Sequence, residues 1–253
     1  MKKDIFIVMS GIIISELMIL YEDILYGLGM HIINLLVIIF LVIFSRSDIK
    51  TKYVLQSFTL LILLRIVSVS IPQIFTNVLL QYSLVYGIIF IPIYLIIKGQ
   101  NISSKELGIN FKKIYVYIPL AMLIGPIIGF IEYNIINPIS LIERIRFSDM
   151  VLIFMVMFVF VGTVEEIIFR SILQTRLQRV IGIKYGILVS GIMFGMMHTG
   201  YGMINEIIFT VILGIIFGYL FHKSNSIPFV ITVHTVANVT LFGFLPIYTV
   251  GVV

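Results

Sequence analysis

The chain of 253 residues contains no cysteine, and only 11% of its residues are charged. The first absence excludes disulfides and thiolate metal sites and leaves the redox compartment unread. The second excludes an ordinary soluble domain, in which about 25% of residues are charged and about 45–50% apolar. Hydrophobic residues make up 60% of this chain and the mean hydropathy is +1.16, the composition of a polytopic membrane protein. Internal repeats, low-complexity tracts and a soluble domain are also missing. So is the H-E-x-x-H helix of zinc proteases. The net charge of +5 does not point to nucleic acid, because the lysines and arginines are spread thinly between apolar runs and read as topology signals.

Apolar runs of about 17–25 residues predict helices near 5–21, 27–44, 53–71, 78–97, 114–131, 149–175, 184–200, 205–221 and 227–248. The expected fold is an all-α, polytopic transmembrane helix bundle of eight or nine spans. The first run follows Met1-Lys2-Lys3 like a signal peptide, but it holds Glu16 and lacks a small-residue cleavage site, so it is expected to be retained. With the N-terminus inside, Lys2, Lys3, Arg46, Lys50, Lys52, Lys98, Lys105, Lys112, Lys113, Arg176, Arg179, Lys184 and Lys223 fall on the cytoplasmic side. Only Arg144 and Arg146 fall outside, and Arg65 and Arg170 lie within spans. This bias predicts a cytoplasmic N-terminus in an integral, multi-pass membrane protein, placed in the cell membrane if the source is prokaryotic. The longest polar stretch, Lys98 to Lys113, holds Ser103-Ser104-Lys105-Glu106-Leu107-Gly108-Ile109, a capped amphipathic piece expected on the inner surface. Tyr53, Tyr115 and Tyr117 fall near span ends, where a ring with a polar tip suits the headgroup layer.

Against this background the stretch from Val161 to Arg170 is anomalous, because it carries Glu165, Glu166 and Arg170 inside an apolar run. A carboxylate at mid-bilayer costs roughly 2.5–3.5 kcal/mol on insertion scales, so such groups face protein interior or a wet cavity. Glu166 and Arg170, four apart with the glutamate first, are placed to pair along a helix, which leaves Glu165 without a local partner. Two later runs supply polar groups: Phe194 with His198, and His234 with Asn238, each pair four apart and so on one helical face. Counted from the inner span ends at about 1.5 Å per residue, these groups lie at depths that allow one shared chamber.

Other polar residues have blander readings. His31 and His222 lie at span ends and read as interfacial. Glu16 and Glu206 lie near span boundaries and are expected to reach water. Gly191, Gly195, Gly214 and Gly218 read as helix-packing contacts, and Met193, Met196 and Met197 as packing rather than a metal box.

The motifs E-E-x-x-x-R, F-x-x-x-H and H-x-x-x-N, in that order on successive membrane helices, resemble the CPBP family of intramembrane proteases. This family includes the type II CAAX prenyl endopeptidases and the bacterial Abi proteins. The matching residues are Glu165, Glu166 and Arg170, then Phe194 and His198, then His234 and Asn238. The resemblance covers residues 98 to 245, which suggests a catalytic unit at 98–253 and a preceding unit of four helices at 1–97. It implies peptide-bond hydrolysis, with Glu165 and His198 activating water and His234 and Asn238 stabilising the oxyanion. Glu166, Arg170 and Phe194 are then supporting residues.

No cofactor is favoured. Zinc is the alternative, with Glu165, His198 and His234 as its ligands. Expected partners are membrane lipids and a membrane-associated substrate, either a lipidated (prenylated) protein or a leader-type peptide, and not nucleic acid. Two other classes remain open at this point: a non-catalytic scaffold or bacteriocin-immunity partner on the same fold, and a proton-coupled transporter. The second predicts inverted repeats and Gly/Pro-broken helices in matching halves, which the sequence lacks.

Overall fold

The computed structural model describes residues 3–250, and every regular element among them is helical. Lys2, assigned above to the inner side, and the last residues of the 98–253 unit lie outside the described residues. Among the described residues nine helical rods follow one another: α1 (Lys3–Leu20), α2 (Ile24–Phe44), α3 (Ile49–Gln73), α4 (Val78–Gly99), α5 (Ile114–Ile136), α6 (Phe147–Ile181), α7 (Ile183–Met196), α8 (Ile204–Ser224) and α9 (Ile227–Tyr248). Seven of them, all but α1 and α7, are long and apolar enough to cross a membrane. Lys3, Asp4 and Glu16 put three charged residues into the 18 of α1, and α7 has only 14 residues. At 1.5 Å per residue α7 is about 21 Å long, short of the roughly 30 Å hydrocarbon core. The chain is an integral membrane protein, and its lipid-facing sides carry exposed leucine, isoleucine and phenylalanine throughout.

Local chemistry explains where the rods begin and end. Asp48 and Asn77 cap α3 and α4 by accepting from the Thr51 and Leu80 amides at 3.0 and 2.9 Å. Asn137 and Asn225, with φ of 42° and 47°, end α5 and α8 in left-handed turns that asparagine tolerates. Pro92, Pro119 and Pro126 sit inside α4 and α5, as membrane helices allow.

One end of the bundle gathers the segments rich in lysine and arginine. The Ile227 amide donates to the Gly108 carbonyl at 2.8 Å, the Ser226 hydroxyl to Asn110 O at 2.7 Å, and Arg176 Nε to Gln100 Oε1 at 2.7 Å. Gly108 has φ of 76° and meets the Phe221 ring where a Cβ would stand, so both backbone and space require glycine. The Ser103–Glu106 segment forms a reciprocal capping box but closes into a single turn rather than a helix. Glu106 also binds Arg179, and that hydrogen bond holds its carboxyl below the usual carboxylate range.

One unbroken hydrophobic cluster joins α1 to α4 with α6 and α7, so the first four helices share a core with the motif-bearing ones. A second cluster ties α5 and α8 to α9. The close crossings are made by small residues. A Cβ on Gly195 would lie 2.7 Å from the Val211 amide nitrogen, and one on Gly129 would lie 2.5 Å from the Ala237 carbonyl oxygen. The first crossing brings α7 onto α8, and the second seats α9 against α5. Met193 and Met196 are buried in the packing, and His222 is exposed at its helix end.

Candidate active site

Glu165 and Glu166 occupy a short α-helical stretch, Thr163–Glu166, between two π-helical stretches of α6, Val156–Gly162 and Ile167–Gln174. Such widened turns often mark functional sites. Where α6 passes α9, a Cβ on Gly162 would stand 2.9 Å from Thr235 Oγ1, and this close approach brings His234 to the glutamates.

Glu166 has no exposed surface and is held from two sides. Arg170 Nε donates to its Oε2 at 2.9 Å, and His234 Nδ1 lies 2.8 Å from its Oε1. The Arg170 guanidinium, also fully buried, faces the rings of Phe194, Phe217 and Phe169 at 4.7, 5.7 and 5.8 Å. Its two terminal nitrogens have no hydrogen-bond partner, and the aromatic faces around them take that place. Phe194 is the common neighbour, edge-on to Phe169 at 5.1 Å and 4.9 and 6.0 Å from the rings of His198 and His234.

Glu165 faces the other way, into a cavity of about 260 Å³. Phe194, His198, His234 and Asn238 line the same cavity, while Glu166 and Arg170 stand behind its wall. His234 Nε2 lies 3.8 Å from Glu165 Oε2. The sequence predicted no partner for Glu165 nearby, but the structure supplies one from α4: the Tyr86 hydroxyl donates to Glu165 Oε1. Tyr82, one turn earlier on α4, lines the cavity too. Tyr82 and Tyr86 are four apart on one face of an apolar helix, a pattern visible in the sequence but open to a packing explanation.

His198 does not sit within a span as the sequence suggested. The helix of α7 ends at Met196, and His198 lies in the turn beyond, with φ of −98° and ψ of 6°. Its Nδ1 is 2.9 Å from the Phe194 carbonyl oxygen. A carbonyl only accepts, so Nδ1 carries the proton, and the neutral ring has its lone pair on Nε2.

Three buried polar residues overturn the sequence reading. Glu16, expected to reach water, has no exposed surface and is bonded in two places by Arg65, Nε to Oε1 at 2.9 Å and Nη2 to Oε2 at 2.7 Å. His31, expected at the interface, is equally buried, with Nε2 3.1 Å from Glu16 Oε1. Glu206 is also fully buried instead of reaching water, and its neighbour Glu132, on α5, lines the cavity. The partners lie on other helices, 49 residues away in the case of Glu16 and Arg65, beyond any local spacing rule.

Among the described residues no three histidine, aspartate or glutamate side chains are grouped so that they could hold a metal ion. His234 spends Nδ1 on Glu166, and Glu165 spends one oxygen on Tyr86. His234 Nε2 and Glu165 Oε2, 3.8 Å apart, are the atoms these bonds leave over, and a metal-bound histidine commonly makes such a carboxylate bond through its other nitrogen.

Residues 147–240 match the family model described as type II CAAX prenyl endopeptidase Rce1-like. Over that segment the chain is similar to the CAAX protease family. The match takes in Glu165, Glu166, Arg170, Phe194, His198, His234 and Asn238, and leaves α1 to α5 unmatched. No curated protein and no solved structure matched the chain.

Proposed function

We propose that this chain is a CAAX-type intramembrane endopeptidase in which Glu165 is the general base. The reading rests on one observation: Glu165, His198, His234 and Asn238 face a single cavity, while the Glu166–Arg170 pair is sealed behind it. Glu165 takes a proton from a water molecule, and His198, whose Nε2 is its accepting atom, holds the same water or shares that proton. The water oxygen bonds to the scissile carbonyl carbon, and the carbonyl π electrons move to oxygen. Asn238 Nδ2–H and, when the ring carries two protons, His234 Nε2–H donate to that oxyanion. Collapse re-forms the carbonyl and breaks the C–N bond, and the proton taken from water passes to the leaving amine. Glu166 orients His234 through Nδ1, and Arg170 is the bonded counter-charge of Glu166.

No step passes through a metal. The substrate class is a membrane-associated peptide, either prenylated or of leader type, that reaches the cavity from the cytoplasmic side. The end of the bundle gathering the basic loops is the cytoplasmic one by the positive-inside rule.

Cleavage of prenylated and leader-type reporter peptides by purified protein tests the reading. Glu165→Gln keeps size and hydrogen bonding while removing basicity, so it is expected to fold normally and lose about 10²–10⁴-fold in rate, the range a positioned base contributes. Wild-type cleavage by Glu165→Gln would sink it. Loss of activity on chelation, restored by zinc, would turn the same residues into ligands.

A further inference from the structure

The turn that carries His198 is anchored by helices lying outside the family match. α7 stops well short of a full membrane crossing; the Met197 and His198 amides bond back to Met193, Phe194 and Gly195, and the Met197 carbonyl lies beyond that last turn. At membrane depth water does not satisfy such groups, so irregular backbone there must be sealed in protein or line a cavity. Arg65, on α3, does the sealing. Its Nη2 donates to the Met197 carbonyl at 2.7 Å, a cation placed on the negative end of the α7 dipole.

The same guanidinium reaches past His198. Arg65 Nη2 lies 3.3 Å from Thr199 Oγ1, and the Thr199 hydroxyl donates to Glu16 Oε2 at 2.5 Å. The residues on both sides of His198 are therefore tied to one ion pair. Glu16 comes from α1, Arg65 from α3, and His31 from α2 adds a bond to the second oxygen of Glu16. All four side chains are buried, and Arg65 also forms part of the cavity wall.

We propose that Arg65 and Glu16, acting through Met197 and Thr199, are positioning residues for His198, so that the first three helices complete the active site. A link that only holds helices together has no need of ions, since apolar side chains of similar volume often replace a buried pair without loss of stability. A forked, two-bond arginine–carboxylate pair that also grips a carbonyl and a hydroxyl fixes direction as well as distance. His198 needs direction, because its Nε2 must meet a water that Glu165 also reaches. A misplacement of about 1 Å costs up to 10²-fold in rate.

The proposal rests on the proteolytic reading, and the experiment separates the two. In one peptide-cleavage assay, wild type against Glu165→Gln first tests the proteolytic reading on its own. The double variant Glu16→Met/Arg65→Met then removes the ions and keeps the volume. Its melting temperature is expected to stay at or above that of wild type, while kcat falls about tenfold or more and KM moves less than about twofold.

Thr199→Val, which leaves the ion pair whole and deletes only the hydroxyl tether, decides the matter if the double variant does not fold. It is expected to lower kcat by about threefold to tenfold. A readout independent of cleavage is the ring signal of His198 in histidine-labelled protein, identified by its disappearance in His198→Ala. That signal is expected to shift in Thr199→Val. Wild-type kcat in the folded double variant, or in Thr199→Val, overturns the assignment. If Glu165→Gln has already removed the proteolytic reading, an unshifted His198 signal in Thr199→Val overturns it instead.

Discussion

Arg170→Ala gives the most direct measure of what holds the candidate site together. The side chain is fully buried, its Nε is bonded to Glu166 at 2.9 Å, and its guanidinium is covered by three aromatic rings. Truncation leaves Glu166 buried without its counter-charge, with His234 as its one remaining polar partner. Removing one member of a buried pair costs about 3–5 kcal/mol, mostly the penalty of the charge left behind. Loss of the ring contacts adds about 2 kcal/mol if desolvated cation–π strengths apply. Against a total stability of about 5–15 kcal/mol, Arg170→Ala is expected to unfold early in a denaturant titration in micelles. Glu166→Gln/Arg170→Met removes both charges and is expected to recover most of that loss. It should stay inactive, because His234 then lacks its anionic partner. An Arg170→Ala protein within about 1 kcal/mol of wild type would refute the account, since a charge stranded in that site is what the cost comes from.

Tyr86→Phe keeps the ring and deletes the hydroxyl that steadies Glu165, so kcat for a reporter peptide is expected to fall about tenfold with unchanged thermal stability. Asn238→Ala removes one oxyanion donor and is expected to lower kcat by about 10²–10³, measured in the same assay, with KM little altered. Arg179 holds the Glu106 carboxyl below its usual range, so the stabilising effect of that group is complete above an unfolded value of about 4.3 and disappears as pH falls through the lower folded value. The melting-temperature gap between wild type and Glu106→Gln is therefore expected to be constant from about pH 5 to 8 and to close only in stronger acid.

The helices were legible because lipid imposes length and apolarity on each span separately. The predicted run at 78–97 and the helix Val78–Gly99 differ by two residues, and the run at 227–248 coincides with Ile227–Tyr248. α5 and α6 run five and six residues past their predicted C-terminal ends, whereas at α7 the apolar run continues to Gly200 but the helix ends at Met196. Hydropathy registers that a segment is buried and does not register where its helical hydrogen bonds stop. The broken end is held by Arg65 from 132 residues away, a partner that no local window contains.

The same contrast divides the site. Glu166 with Arg170, and His234 with Asn238, are four residues apart on continuous helix, so the sequence placed each pair on one face. Tyr86, Glu132, Glu16 and Arg65 reach the centre from α4, α5, α1 and α3, helices that the family match does not cover, and nothing in their own surroundings separates them from stray polar residues. Burial is what distinguishes them. Glu16 at a wet boundary needs no partner, whereas a fully buried Glu16 requires a counter-charge, and that counter-charge bonds the Met197 carbonyl and the Thr199 hydroxyl on either side of His198. An ionised residue near the predicted end of a short, polar-interrupted span is thus better read as a request for a distant partner than as a group reaching water. In this chain, answering that request brings the unmatched half of the protein into the site.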